Sequence, residues 1–502
     1  MRVVAASLAV GFLAAFTGGS TSGWQPVAEV AVGAVRGDIA LSPSGEAIAV
    51  WSRPAGGRDA DVVASYRPAG SRRWQSSRKL DTTEDPEPRV AVNDRGDAVV
   101  VWEHFTGDHH ERRLFAATRS SEGNWDTPKR LSPAGNFSND PDVGIDAGGD
   151  ATAISVLPGR VEAVYRPAGG SWQEPRSLPY LVDFSLAVGR DGHAVVVGRR
   201  DGAVSAIRGA GGTWDGVIDL DQGDVRSPSA AIGPGGATVV VWSKGVAGNN
   251  VVRAASFEPE RGWGEPEDLS FSDGQATDPD VAVDDTGAAL SAWNAAVDVE
   301  ASYRPSHGDW QRPAVVSPPG ARLLPSVAMS ANGRTLAVWK ESSFGQDRPV
   351  SAAAFVDGRW EAATEISTVG QGASAQAGIT VDRLGDGIAF WTTSADRSFR
   401  SAFYDAGGPL LRAVANSGRP MISGVRRAGR RLTCSKGTWT GQTPITYALV
   451  WLRNGRIIGR GRTYAIRRRD VGAFVRCRVT ARNAFGASTA ASKLVRVGRF
   501  SG

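Results

Sequence analysis

The ten-residue stretch NDRGDAVVVW, from Asn93 to Trp102, contains a unit that recurs through most of the chain. A polar turn ends in a glycine, and an apolar run closes on a tryptophan six positions after it. The arrangement recurs in six Gly/Trp pairs: Gly45/Trp51, Gly96/Trp102, Gly236/Trp242, Gly287/Trp293, Gly333/Trp339 and Gly385/Trp391. Two repeats keep the glycine and lose the tryptophan, at Gly149/Ser155 and Gly192/Gly198. Residues 24–391 therefore contain eight repeats, with a mean spacing near 49 residues.

Each repeat contains four short strand-like segments. A third segment ends in an aromatic residue and often Pro, and a second tryptophan follows: Trp74, Trp125, Trp172, Trp214, Trp263, Trp310 or Trp360. Four strands per unit of 40–50 residues are the pattern of a β-propeller. The Asp/Asn/Ser-rich turns suit hairpins that need a positive φ at the closing glycine. We expect the repeated tryptophans to fill space between neighbouring sheets rather than to bind ligand.

The last repeat lacks its second tryptophan, which the start of the mature chain supplies. Residues 22–27 (SGWQPV) match the fourth-strand motif at residues 171–175 (SWQEP). We therefore predict an all-β, eight-bladed propeller over residues 23–414, closed by the N-terminal strand. Closure removes exposed sheet edges. Seven blades are the alternative if one of the tryptophan-poor repeats near residues 140–220 has degenerated.

The N-terminus has the pattern of a secretory signal peptide. Met1-Arg2 precedes an apolar stretch from Val3 to Phe16, and small residues follow. We predict a signal peptide over residues 1–22, with a secreted, extracellular or cell-surface product. No other apolar run is long enough for a transmembrane segment.

Composition and charge narrow the class of protein. An apolar content of 41% excludes disorder as the main state, and two cysteines exclude a disulfide scaffold. The net charge of +5 is the sum of an acidic N-terminal part and a basic C-terminal part. Residues 408–502 carry 18 Arg and 2 Lys against one acid, Asp470, which leaves −14 on residues 1–407. This asymmetry indicates an acidic body with a basic module.

The pattern changes after residue 414. Cys434, Trp451 and Cys477 stand in the Cys-Trp-Cys order of an immunoglobulin-type sandwich. This stretch resembles the Ig-like modules of bacterial surface proteins, although Val475 occupies the position where antibody-type domains have a tyrosine. We predict a strongly basic Ig-like β-sandwich over residues 415–502. In an exported protein the resemblance implies a disulfide between Cys434 and Cys477, with a reactive or metal-binding pair as the alternative.

The repeats resemble sialidase-like secreted bacterial propellers, but with degenerate Asp boxes. The Asp-box turn has Ser-x-Asp-x-Gly-x-Thr-Trp, whereas residues 169–172 (GGSW) and 211–214 (GGTW) lack the preceding Ser and Asp. No motif places the three arginines and the Tyr–Glu pair of sialidase chemistry. Of the five histidines, only His109 and His110 are clustered, after Asp108 and with His104 nearby, and we interpret this segment as a solvated loop. We therefore predict no catalytic residues, metal or cofactor.

Arginine clusters in the C-terminal module are candidate contacts for an anionic polymer. They are Arg426, Arg427, Arg430, Arg431, Arg467, Arg468 and Arg469, hereafter the basic clusters. Wall polymers, acidic polysaccharide or released nucleic acid would bind them mainly by charge. The alternatives are a solvated surface or docking on the acidic propeller.

Together these features favour a non-catalytic binding or interaction protein over an enzyme. The propeller would present a ligand surface to an extracellular glycan, wall polymer or protein. The Ig-like module would act as a spacer or as an adhesive tail. We expect a monomer. The alternative is a carbohydrate-active hydrolase or lyase on the same scaffold, since fold alone does not select a function.

Overall fold

A computed structural model describes residues 23–105, 112–132, 139–246, 248–271, 274–306, 308–320, 322–341, 348–367, 371–374, 376–406, 415–440, 445–483 and 486–498. The predicted signal peptide (residues 1–22) and three histidines (His109, His110 and His307) lie outside these residues. No helix in the described part is long and apolar enough to cross a membrane.

The described residues of the N-terminal part form short strands joined mostly by tight turns, with a 3₁₀ turn at Pro234–Gly236. In chain order the strands are β1 (Gly23–Trp24), β2 (Ala28–Val32), β3 (Gly37–Leu41), β4 (Ala47–Gly56), β5 (Asp59–Arg67), β6 (Arg78–Glu84), β7 (Arg89–Val92), β8 (Ala98–Phe105), β9 (Arg112–Arg119), β10 (Lys129–Arg130), β11 (Asn139–Ile145), β12 (Ala151–Leu157), β13 (Arg160–Arg166), β14 (Arg176–Pro179), β15 (Val182–Val188), β16 (His193–Arg200), β17 (Ala203–Ala210), β18 (Thr213–Trp214), β19 (Ile218–Gln222), β20 (Val225–Ile232), β21 (Thr238–Val246), β22 (Asn249–Glu258), β23 (Gly262–Trp263), β24 (Glu267–Asp268), β25 (Ala276–Val283), β26 (Ala289–Ala295), β27 (Asp298–Arg304), β28 (Ala314–Val315), β29 (Arg322–Met329), β30 (Thr335–Glu341), β31 (Val350–Val356), β32 (Arg359–Trp360), β33 (Thr364–Glu365), β34 (Gly378–Val381), β35 (Gly387–Thr392) and β36 (Ser398–Asp405).

Within the described residues these strands form eight antiparallel sheets. In order, they contain β3–β6, β7–β10, β11–β14, β15–β19, β20–β24, β25–β28, β29–β33 and β34–β36. The first strand of each sheet contacts the first strand of the next, and β34 contacts β3. Strands β1 and β2 pair with β36. In the four sheets that have five strands, two short strands share the fourth position, because both pair with the third strand. The all-β prediction is confirmed, and a ring of such antiparallel meanders is a β-propeller.

The repeat residues have the roles that their chemistry predicts. All eight turn glycines have φ between 78° and 95°, the left-handed region that side chains disfavour. In the second turn, Asn93 Oδ1 accepts the N–H groups of Arg95 and Asp97. The six tryptophans that close the second strands are at most 3% exposed. The seven tryptophans near the fourth strands are half-buried.

The described residues of the C-terminal part form three smaller sheets. Its strands are β37 (Ala415–Gly418), β38 (Ile422–Ser423), β39 (Arg431–Cys434), β40 (Thr438–Thr440), β41 (Thr446–Arg453), β42 (Arg456–Arg460), β43 (Thr463–Ala465), β44 (Phe474–Asn483), β45 (Gly486–Ala491) and β46 (Val495–Arg496), with a 3₁₀ turn at Arg468–Asp470. The sheets contain β37–β40, β38–β39–β43 and β42–β41–β44–β45, and β46 pairs with β44.

A disulfide joins two of these sheets, because Cys434 on β39 is bonded to Cys477 on β44. The buried indole of Trp451 stacks on Tyr464 with a ring separation of 5.7 Å. The Tyr464 hydroxyl donates to Asp470 Oδ2 at 2.6 Å. The buried tyrosine of this part is therefore Tyr464 on β43. The antibody pattern instead places a tyrosine at position 475, which is Val475 in this chain.

Candidate functional site

The ring of first strands leaves a cavity at each end of the propeller axis. At the strand-start mouth, where the first strands begin, a cavity of about 840 Å³ is open to solvent. Its charged lining comprises Arg36, Asp38, Glu87, Arg89, Asp278 and Asp280. At the turn mouth, where those strands end, the cavity is about 590 Å³.

Two ion pairs cross the turn mouth. Arg190, in the turn of the fourth sheet, pairs with Asp94 in the turn of the second. Arg383, in the turn of the eighth sheet, pairs with Asp285 in the turn of the sixth at 2.9 Å. Each pair passes over an intervening sheet. A ligand therefore has wider access from the strand-start mouth.

One position in each first strand, seven residues before the turn glycine, defines a ring at the strand-start mouth. Its occupants are Asp38, Arg89, Asp142, Ser185, Ser229, Asp280, Ser326 and Gly378. First strands are edge strands, so their outward N–H groups need acceptors from outside their own sheet. The three aspartates of the ring supply such acceptors to the following sheet.

The three carboxylates share one hydrogen-bonding pattern. Each accepts the N–H of the residue that follows it, at 2.8–3.0 Å. Each also accepts an N–H from the next sheet: Asp38 from Val90 at 2.9 Å, Asp142 from Leu186 at 3.3 Å and Asp280 from Val327 at 2.9 Å. These carboxylates thus join neighbouring first strands.

Burial raises the pKa of all three aspartates, to about 6 for Asp142. The Arg89 guanidinium, between Asp38 and Asp142 in ring order, acts against this rise in both carboxyls. Arg89 itself forms no ion pair among the described residues. The strand-start mouth therefore presents the Arg89 guanidinium between the carboxyl groups of Asp38 and Asp142, which already accept hydrogen bonds from backbone N–H groups.

Two further carboxyl groups, those of Glu87 and Glu103, lie beside this ring. Burial raises the pKa of Glu103, on β8, to about 7, and its Oε2 accepts the Glu87 N–H at 3.2 Å. The Glu87 carboxylate pairs with Arg36 Nε at 3.0 Å, and Arg36 also pairs with Asp85 at 2.7 Å. Glu103 therefore holds the connecting loop that carries Glu87 into the cavity.

Replacing Asp280 by alanine is expected to lower the free energy of unfolding by about 2 kcal/mol, because buried donors lose their acceptor. These donors are the Val327 N–H and the Ser229 hydroxyl, which lies 2.8 Å from Asp280 Oδ1. Urea unfolding measures the change. Asp59→Ala, at an exposed position of β5, is the matched control and should change stability by less than about 0.5 kcal/mol. Equal effects of the two substitutions would contradict the structural role of Asp280.

The described histidines form no metal centre. The interpretation of His104 as part of a solvated loop is wrong, because His104 lies on β8 and is partly buried. Its Nδ1 lies 2.6 Å from Asp81 Oδ2, which also accepts the Trp102 indole N–H. His193 pairs with Asp191 in a turn. No group of three potential metal ligands occurs among the residues that the structure describes.

The structure brings two of the basic clusters together. The Gly429 N–H donates to the Ile466 carbonyl and the Ile466 N–H donates to the Arg430 carbonyl, both at 2.9 Å. The segment that holds the clusters at 426–431 therefore lies beside the segment that leads into 467–469. All seven arginines are exposed. Arg453 differs, since its guanidinium donates to the buried Asp470 at 2.7 Å.

No protein-family model and no curated protein matches the sequence. Among solved structures, the chain is similar to a polysaccharide lyase described as an ulvan lyase, with 12% identity over 76% of this chain and 97% of that chain and a TM-score of 0.44. It is similar to a Hadza microbial sialidase, with 11% identity, coverages of 72% and 76%, and a TM-score of 0.35. It is also similar to the six-bladed lectin of Aleuria aurantia, with 13% identity, coverages of 54% and 96%, and a TM-score of 0.35. These similarities concern the fold alone.

Proposed function

We propose that this protein is a secreted or cell-surface binding protein without catalytic activity. The propeller presents its strand-start mouth to an extracellular glycan, and the basic C-terminal module adheres to a polyanion. The apolar N-terminal stretch and the disulfide of the C-terminal part support export. The proposal includes a signal peptide over residues 1–22, a propeller over 23–414 and an Ig-like sandwich over 415–502.

The proposed ring has eight blades and is closed by the N-terminal strand. Eight sheets with contacting first strands support this count. Closure is supported by the pairing of Trp24 with Tyr404 and by their ring separation of 5.2 Å. The Cys434–Cys477 disulfide beside a buried Trp451 supports the Ig-like assignment.

One observation carries the preference for binding over catalysis. The ring carboxylates Asp38, Asp142 and Asp280 each accept two backbone N–H groups, and thereby join neighbouring sheets. A general acid or base must direct its carboxyl to the substrate. Carboxylates occupied in this way suit a rigid binding surface better than proton transfer.

The second candidate function is a carbohydrate-active hydrolase or lyase. The raised pKa values of Asp142 (about 6) and Glu103 (about 7) favour it, because a general acid must be protonated near neutral pH. Both candidates place the ligand at the strand-start mouth. They differ in whether the bound glycan is turned over.

Binding of the full mature chain to an array of glycans and anionic polymers, at low and high salt, tests the proposal. We expect a neutral or acidic glycan to bind in a salt-resistant manner that Arg89→Ser weakens about tenfold or more, because a buried charged contact is lost. We expect a second, salt-sensitive binding that the substitution of Arg426, Arg427, Arg430 and Arg431 by serine weakens. The absence of binding under both conditions would contradict both parts and favour a protein ligand.

A further inference from the structure

The C-terminal sheet β42–β41–β44–β45 carries arginines on the face that points away from the disulfide. Buried and exposed residues alternate along β44, as expected for a strand with one face in a core. Cys477 and its buried neighbours point inward. The outward residues include three exposed arginines, hereafter the arginine row: Arg476, Arg478 and Arg482.

Neighbouring strands extend this face. Val450 of β41 lies opposite both Arg478 and Arg460, so Arg460 of β42 shares the face of the arginine row. Arg496 of β46 lies opposite Phe474 at one end of β44. Arg460 and Arg496 are also exposed. The row is thus flanked by further positive charge and is distinct from the basic clusters.

No acidic side chain offsets this charge within the C-terminal module. Asp470 is the only acid after residue 408. It is fully buried and is held by Arg453 and Tyr464. Among the described residues, no arginine of the row forms an ion pair.

The spacing of the row suits a regular polyanion. Alternate residues of a strand repeat at roughly 6.8 Å, so Arg476 and Arg478 present charges at that interval and Arg482 presents one two intervals further. A phosphodiester polymer with three-carbon units has as many backbone bonds between charges as two residues of a strand. When both are extended, their charges therefore stay in register.

Between Arg478 and Arg482, β44 presents the small residue Thr480, whereas Val450 and Leu452 of β41, opposite Arg478 and Arg476, are buried aliphatic residues. Thr480 and Thr489 form an exposed pair, with Oγ1 atoms 3.3 Å apart, and Ala448 lies beside Thr480. Proteins that bind single-stranded nucleic acid place aromatic rings beneath the bases. One exposed aromatic ring, that of Phe474, lies on this face at the end of β44 beside Arg476. The stretch from Arg478 to Arg482 offers hydroxyl and aliphatic groups and no ring, which suits a polymer that has no bases.

We propose that the arginine row binds a linear polyol phosphate in an extended conformation. The proposal deepens the adhesive role given to the C-terminal module under the proposed function, and it rests on that role. It assigns the polymer to the outer face of the β42–β41–β44–β45 sheet rather than to the basic clusters.

Equilibrium binding of the full mature chain to poly(glycerol phosphate), measured from 50 to 300 mM salt, tests whether the arginine row binds the polymer. The test variant is Arg476→Ser/Arg478→Ser/Arg482→Ser. Its matched control, Arg426→Ser/Arg427→Ser/Arg430→Ser, removes the same charge from the basic clusters. Thermal unfolding of both variants checks that the substitutions, all at exposed positions, leave the fold unchanged. Oligothymidylate with the same number of phosphates is the comparison ligand.

We expect the row variant to bind at least about tenfold more weakly at low salt, with a slope of log affinity against log salt that is smaller by about two. The control should lose less, and oligothymidylate should bind the wild-type protein more weakly than poly(glycerol phosphate). An equal or greater loss in the control would overturn the assignment and leave adhesion through the basic clusters intact. If oligothymidylate binds more tightly than poly(glycerol phosphate), the ligand of the arginine row is nucleic acid and not a polyol phosphate. If the wild-type protein binds neither polymer, the adhesive role and this inference both fail.

Discussion

Replacement of Asp470 by alanine is expected to lower the free energy of unfolding of the C-terminal module by about 3–5 kcal/mol. The carboxylate has no solvent exposure and accepts three hydrogen bonds. These come from Arg453 Nη1 at 2.7 Å, the Tyr464 hydroxyl at 2.6 Å and the Arg467 N–H at 2.8 Å. Without Asp470 a partly buried guanidinium and a buried hydroxyl lose their acceptor.

Denaturant unfolding followed by tryptophan fluorescence measures this loss, since Trp451 stacks on Tyr464. Tyr464→Phe is the matched control, because it removes one hydrogen bond and keeps the ring. It should cost about 1 kcal/mol. A loss below about 1 kcal/mol for Asp470→Ala would show that Asp470 does not organise this module.

The second large effect is a rise in stability as the pH falls from 8 towards 4. Burial raises the pKa of Asp382 and of Glu103 to about 7 each. Because the folded-state pKa lies above the unfolded one, each carboxyl stabilises the fold fully below about pH 4. That contribution is lost as the pH rises through about 7, and it amounts to roughly 3 kcal/mol for each group.

Chemical unfolding at several pH values tests this expectation in the wild-type protein and in Asp382→Asn. Asp382 Oδ1 accepts the N–H groups of Leu384, Gly385 and Asp386, and an asparagine oxygen can accept the same three donors. The free energy of unfolding of the variant should therefore change less between pH 4 and 8 than that of the wild-type protein.

Asp396→Asn provides a control of opposite sign. Hydrogen bonding, first from Thr393, lowers the pKa of Asp396 to about 2. Its stabilising contribution is thus present above about pH 4 and is lost as the pH falls through about 2. If Asp382→Asn leaves the pH profile of the wild-type protein unchanged, Asp382 does not supply the effect.

Much of the propeller could be predicted from the sequence because each repeat encodes its own turn and strands. The positive φ of the turn glycines and the burial of the second-strand tryptophans follow from local patterns. Trp24 could be paired with the last repeat because SGWQPV copies a motif found elsewhere in the chain.

The mouth residues were missed for a physical reason. Asp38, Asp142 and Asp280 bind N–H groups of other repeats, and no single repeat reveals which backbone groups lack partners. A signal did exist, since Asp-Pro-Asp at 140–142 and 278–280 ends seven residues before a turn glycine. Only three of the eight repeats carry the aspartate, so the position does not stand out as a motif.

Long-range pairs were equally out of reach of the sequence. The Arg190–Asp94 and Arg383–Asp285 pairs join alternate sheets, and their geometry depends on how the ring closes. In the C-terminal module, the absence of a tyrosine at Val475 raised doubt about a tyrosine contact. Tyr464, which no pattern singled out, and Asp470, the single acid of residues 408–502, form one instead.

The proposed function requires that the propeller binds a glycan without turning it over. The most direct test incubates the full mature chain with the glycans that bind it, and measures bound ligand and released chain ends in one sample. We predict saturable binding with no new reducing ends and no unsaturated sugar product. Product that accumulates with the wild-type protein and disappears with Asp142→Asn or Glu103→Gln would contradict the claim and establish the enzyme.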